Sequence, residues 1–110
     1  MSVHNPIIPT DGRSLRLVGA FIRRTNLDRA SLREADLSRA DLTGATARGA
    51  DFRGAVLKKT ILKGVDMTDA KNLTLDQLAE AVIDESTRLP EYIDRAILKQ
   101  RMKASRGKLL

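Results

Sequence analysis

The chain has 110 residues and no cysteine, so it holds about one domain of sequence and neither a disulfide framework nor thiolate zinc sites. Hydrophobic residues make up 42% but aromatic residues only 3%, so any core must be built mainly from Leu, Ile, Val and Ala. The net charge of +6 admits an anionic partner without establishing one, and no uncharged apolar run approaches the roughly 18 residues of a membrane span.

Residues 1–14 come first. Met1 to Gly12 has neither the basic start nor the apolar stretch of a secretory signal, so the expected compartment is the cytoplasm. Pro6-Ile7-Ile8-Pro9 reads as extended and apolar, and Asp11-Gly12 as a turn. This segment is expected to lie as an extended cap over the next element.

Residues 15–69 fall into eleven rows of five. The third column is apolar throughout: Leu17, Ile22, Leu27, Leu32, Leu37, Leu42, Ala47, Phe52, Leu57, Leu62 and Met67. The first column is small or apolar, and neither column carries a charge. A period of five winds an apolar column around an α-helix, and flips it from face to face along a straight strand. A chain that turns a corner once per row can aim columns one and three inward every time. Gly19, Gly44, Gly49, Gly54 and Gly64 in the fifth column suit corners with positive φ. Arg24, Arg29, Glu34, Arg39, Lys59 and Asp69 share that column, so corners of mixed type are expected.

The rows Ala35-Asp-Leu-Ser-Arg, Ala40-Asp-Leu-Thr-Gly and Ala50-Asp-Phe-Arg-Gly resemble the pentapeptide-repeat family. The resemblance implies an all-β solenoid: a right-handed quadrilateral β-helix with four rows per coil, hence just under three coils here. It also implies that Asp or Asn in the second column serves the turns. Rows then stack every twenty residues into four walls. Wall one starts at residues 15, 35 and 55, wall two at 20, 40 and 60, wall three at 25, 45 and 65, and wall four at 30 and 50.

Residues 70–110 change character and are expected to form a helical cap and a basic tail. Thr74 with Gln77 forms a capping box flanked by Leu73 and Leu78, predicting a helix from Leu75 to about Asp84 with Leu75, Leu78, Ala79 and Val82 on one face. Pro90 suits a first helical turn, predicting a second helix to about Lys103 with an Ile93, Ala96 and Ile97 stripe. Residues 104–110 are expected to fray.

Catalysis needs convergent groups, and the sequence offers none. His4 is the single histidine, and no glycine-rich phosphate loop is present. The second-column carboxylates are too scattered for a hard cation. The expectation is therefore a non-enzymatic chain without metal or cofactor. Outward apolar residues point to a protein-interaction module, a scaffold or small adaptor. Phe21, Val56, Ile61, Tyr92, Ile93 and Ile97 are the candidate partner-binding residues. Walls one and two are basic, which suits an acidic protein partner. The alternative is an accessory nucleic-acid binder using Arg23, Arg24, Lys58, Lys59, Lys63, Lys99, Arg101 and Lys103, although no aromatic platform accompanies them. A homodimer through the C-terminal helix or a coil end is a further reading. Some relatives of the family mimic DNA toward type II topoisomerases, and the basic charge here argues against that role.

Overall fold

Parallel β-bridges join residues twenty apart. Arg16 pairs with Asp36, Phe21 with Asp41, Asn26 with Thr46 and Ser31 with Asp51; the next tier pairs Asp36 with Val56, Asp41 with Ile61, Thr46 with Asp66 and Asp51 with Lys71. Four five-residue walls per coil follow directly. The structure is a computed structural model that describes residues 15–107. The expected N-terminal cap, and His4, lie outside the described residues.

Each wall is held by the same backbone bonds. On wall one the Leu17 N–H donates to Asp36 O at 2.8 Å, Gly19 N–H to Ser38 O at 2.8 Å, and Asp36 N–H to Leu15 O at 2.9 Å. The corner is closed by Ala20 N–H on Leu17 O at 3.0 Å. Columns one and three then face inward. Leu32, Leu37, Leu42, Ala47, Phe52, Leu62 and Met67 are completely buried, as are Ala35, Ala40 and Ala50. Each buried Leu contributes roughly 1.5–3 kcal/mol. Thr60, which breaks the alanine column, is also buried, and its hydroxyl donates to Leu37 O at 2.6 Å. A polar side chain is tolerated there because a backbone acceptor satisfies it.

The corners are not of mixed kind. Arg24, Arg29, Glu34, Arg39, Lys59 and Asp69 have φ between 57° and 61°, beside 65° to 72° for the five corner glycines. The ladder bonds on both sides over-determine the corner, so a left-handed residue is held there despite a cost of about 1–2 kcal/mol. Glycine still has a use one tier up. The Glu34 side chain lies where a Cβ on Gly54 would fall, with a carboxylate oxygen 2.5 Å away, and Arg24 lies similarly against Gly44.

The solenoid is also longer than its eleven regular rows. Lys71 completes the third coil, and Val82 and Arg88 bridge to Ile61 and Asp66 in a fourth tier on walls two and three. The boundary expected at residue 69 therefore lies inside the β-structure. On wall one the fourth tier is replaced by helix α1, Leu75–Ala79. Thr74 and Gln77 form the expected capping box. α1 does not continue to Asp84, because the third coil offers an unpaired edge just beyond it. Val82 N–H donates to Thr60 O at 2.8 Å and Val82 O accepts from Leu62 N–H at 2.7 Å. The β-branched pair Val82-Ile83 suits that edge better than a helix.

Helix α2 spans Arg95–Gly107. Pro90 does not start it: Pro90 O accepts from Ile93 N–H in a preceding turn, and the Asp94 carboxylate caps the Ala96 and Ile97 N–H groups at 2.9 and 3.2 Å. The packed residues of α2 are Leu98, fully buried, and Met102, half-buried, while Ala96 and Ile97 are exposed. The predicted stripe is thus rotated. α2 packs on α1, and Arg101 reaches Asp76. Among the described residues no helix is long and apolar enough to cross a membrane.

Candidate interaction surface

The second column of every wall points away from the core, because its neighbours on either side point in. On wall two this column reads Phe21, Asp41, Ile61, Val82, joined tier to tier by three successive bridges. At about 4.8 Å per tier it runs for roughly 15 Å. Phe21 is 73% exposed, Val82 38%, and Ile61 is half-buried. The acid between them is paired: Arg23 Nε lies 3.7 Å from Asp41 Oδ2, and its guanidinium sits 5.5 Å from the Phe21 ring centroid. Arg23 thus bridges the ring and the carboxylate. Val56, 43% exposed, and Val18 present further apolar surface on wall one.

The other candidates separate. The Tyr92 ring is exposed, but its hydroxyl donates to Ala70 O at 2.6 Å and accepts from Leu73 N–H at 3.1 Å, so it secures the end of the third coil. Ile93 is in the core and is unavailable as a surface contact. Ile97 is exposed on α2. The helix predicted through Asp84 hides the column position of Val82, which the structure places in a β-bridge to Ile61. Its signal was Ala81-Val-Ile-Asp, which repeats the row pattern once α1 is passed over.

The basic candidates are also rearranged. Lys58, Lys59 and Lys63 are exposed on the third tier of walls one and two. Above them the Glu80 backbone carbonyl accepts from Lys59 N–H at 2.7 Å, and Asp84 Oδ1 accepts from Gly64 N–H at 3.3 Å. Arg24 sits at a corner against Gly44, Lys99 and Lys103 are exposed on α2, and Arg101 is paired with Asp76. The groove lined by Arg53, Asn72, Thr74 and Gln77 is open, and its amide groups are already hydrogen-bonded.

The second-column carboxylates serve turns. Oδ1 of Asp36, Asp41, Asp51 and Asp66 each accepts the N–H two residues ahead, and Asp84, outside that column, does the same in the turn after Val82. Side-chain bonds from Ser38, Thr43, Asn72, Thr68 and Ser86 are the largest cause holding these carboxyls below their ordinary value near 3.8, with backbone N–H donors adding to it. A depressed carboxyl contributes stability that is present above the unfolded value and lost as pH falls through the folded one. The melting temperature is therefore expected to hold from pH 7 to about 5 and to fall below about 4. Asp41→Asn should flatten that fall, since an amide oxygen keeps the turn bond without titrating. Calorimetry across this range checks both, and a melting temperature level down to pH 2.5 would contradict them.

Comparison with known proteins agrees with this geometry. No curated protein matches the sequence. Among solved structures, the chain is similar to a pentapeptide repeat protein, Rfr23, from the cyanobacterium Cyanothece 51142, with 28% identity and a TM-score of 0.61 over 70% of this chain and 52% of that one. It thus spans about half the length of that protein. A pentapeptide repeat protein from Nostoc Pcc 7120 aligns at 25% identity over 77% of this chain and 82% of its own, with a TM-score of 0.31. Residues 13–44 and 35–71 match pentapeptide repeats in eight copies, a stretch just over half the chain. With that match laid over a ladder of twenty-residue bridges, the chain belongs to the pentapeptide repeat family.

Proposed function

We propose that this protein is a non-enzymatic, cytoplasmic scaffold or adaptor that binds a protein partner through walls one and two. The observation that carries this reading is the Phe21–Ile61–Val82 column, exposed apolar surface on a rigid backbone ladder. Such patches on small proteins mark interfaces, and a rigid platform loses little entropy on binding. Arg23, Arg24 and Lys63 around the column favour an acidic rim on the partner. For self-association, Ile97 is the exposed large apolar residue among the described residues of α2.

Nucleic-acid binding is the weaker proposal. Arg23 and Arg101 are engaged with carboxylates, and the Asp84 carboxylate is held at the Gly64 corner of wall two. The test is nuclease-treated affinity capture at moderate salt, compared between the native chain and Phe21→Asp. A central anchor is worth about 2 kcal/mol or more, so the variant is expected to weaken partner binding roughly 30-fold while its melting temperature stays put. Capture that survives Phe21→Asp and Ile61→Asp unchanged, or that disappears with nuclease or salt, would refute the adaptor reading.

A further inference from the structure

The spacing of the wall-two column and the charges beside it together restrict what can lie on it. Phe21, Asp41, Ile61 and Val82 bridge in succession, so one outward side chain recurs about every 4.8 Å along the solenoid axis. Three of the four are apolar. The other, Asp41, is already engaged: its Oδ1 accepts from the Thr43 N–H and hydroxyl, and Arg23 pairs with its Oδ2. Exposed basic residues stand on both sides of the column over the first three tiers. Arg39, Lys58 and Lys59 lie at the corner from wall one, and Arg23, Arg24 and Lys63 lie beyond the column on wall two. The sign changes on the fourth tier. Glu80 O accepts from Lys59 N–H, as Lys58 O accepts from Arg39 N–H one tier lower, and Asp84 follows Val82 with its carboxylate at Gly64. Glu80, Asp84 and Glu85 are all exposed there.

An extended peptide fits this surface badly. An added strand binds by pairing with a sheet edge, and the backbone here is already paired: Ile61 N–H donates to Ala40 O, Leu62 N–H to Val82 O and Val82 N–H to Thr60 O. Its same-face residues would also fall about 6.6 Å apart, out of step with the tiers. An α-helix satisfies its own backbone. Its residues i+3, i+7 and i+10 rise about 4.5, 10.5 and 15 Å above residue i, against about 4.8, 9.6 and 14.4 Å for the tiers. A second copy does not supply such a helix: α2 carries no acid and would meet the basic flanks as like charge, and α1 has five residues. We propose that the wall-two column receives an acidic amphipathic α-helix of a partner protein, laid along the solenoid axis. Apolar side chains sit over Val82, Ile61 and Phe21, a small one over Asp41, and Asp or Glu on both flanks. The helix N-terminus lies at the Val82 end, because Glu80, Asp84 and Glu85 favour the positive end of its dipole, and Arg23 and Arg24 favour the negative end. This rests on the reading of walls one and two as a protein-binding surface, and adds the partner's form, charge and direction.

The test is selection on the full chain from a displayed library of random peptides of about 16 residues, long enough to cover the column as a helix. Enriched peptides are expected to carry apolar residues at i, i+3 or i+4, and i+10 or i+11, with Asp and Glu between them, and to gain helical circular dichroism on binding. Phe21→Asp changes an exposed side chain and should weaken them about tenfold or more. Lys59→Glu/Lys63→Glu should weaken them by a similar factor that shrinks as salt rises. A nitroxide on the peptide N-terminus should broaden the Val82 methyl signals more than the Phe21 ring signals. Peptides that need Phe21 but bind extended, or without an acidic excess, overturn the helix and leave the protein-binding surface standing. Peptides that bind Phe21→Asp and the charge-reversed variant as well as the native chain, or no enrichment at all, overturn both. Stronger broadening at Phe21 overturns the proposed direction. A dimer of the full chain that Phe21→Asp dissociates gives the column to a second copy and overturns the proposal.

Discussion

Phe52→Ala is expected to lower stability by about 3–5 kcal/mol, the largest loss from any single truncation in this chain. Phe52 is the one aromatic residue in the core, and it is fully buried on wall four; Phe21 and Tyr92 are exposed. The walls cannot close on the vacated volume. Phe52 N–H donates to Lys71 O at 2.9 Å, and the Asp51 and Lys71 backbones on either side continue the ladder, so the coil spacing is set by hydrogen bonds. Ala47, one row earlier, is already small and also fully buried, so the cavity has no large neighbour on that side to relax into it. The cost therefore belongs near the upper end of the range. Urea denaturation measures it as a lower midpoint with an unchanged slope. A loss under about 1 kcal/mol would mean that the coil can contract, against the picture of a backbone-fixed prism. Phe21→Ala is the matched control: the same side chain leaves an exposed site, and the expected change is within about 0.5 kcal/mol.

Gln77→Ala should cost about 2–3 kcal/mol, far more than an exposed helical substitution usually does. The Gln77 Oε1 accepts from Thr74 N–H at 2.8 Å, closing the capping box. Its Nε2 donates to Phe52 O at 2.8 Å and Ala55 O at 2.9 Å. On the tier below, Ala35 O accepts from Val56 N–H; on the third tier no strand follows on wall one, and the Gln77 amide takes that strand's place. Alanine keeps the helix propensity and the backbone bond from Gln77 N–H to Thr74 Oγ1. What it loses is the join between α1 and the coil. Gln77→Glu separates the two roles, since a carboxylate can serve the capping box but cannot donate to the carbonyls. Near-native stability of Gln77→Glu with a destabilised Gln77→Ala would show that only the cap matters.

The family's fold is a right-handed quadrilateral β-helix, and much of it was legible here because its signal is local. A five-residue period with two uncharged columns has one economical solution, a corner per row, and it requires no knowledge of distant contacts. The roles of Asp36, Asp41 and Thr74-Gln77 were readable for the same reason, since each acts within three residues. The functional candidates were less legible. Phe21 and Ile61 could be placed outward by column, but Val82 could not, because its position depends on an edge presented by Thr60 and Leu62 some twenty residues earlier.

By itself, then, the sequence determined the period, the inward columns, the outward charge pattern and the helix start at Leu75. Only the tertiary structure decided where the solenoid stops. α1 ends at Ala79 because the open edge of the third coil competes for Val82, and α2 buries Leu98 in place of Ile97 because α1 already occupies the coil end. It also decided the corners. Local preference assigns Arg24 and Glu34 a different turn, but backbone bonds to the next tier outweigh a left-handed cost of about 1–2 kcal/mol per residue. Long-range hydrogen bonds prevail at these positions because each edge group left unpaired costs at least as much as the strain it imposes.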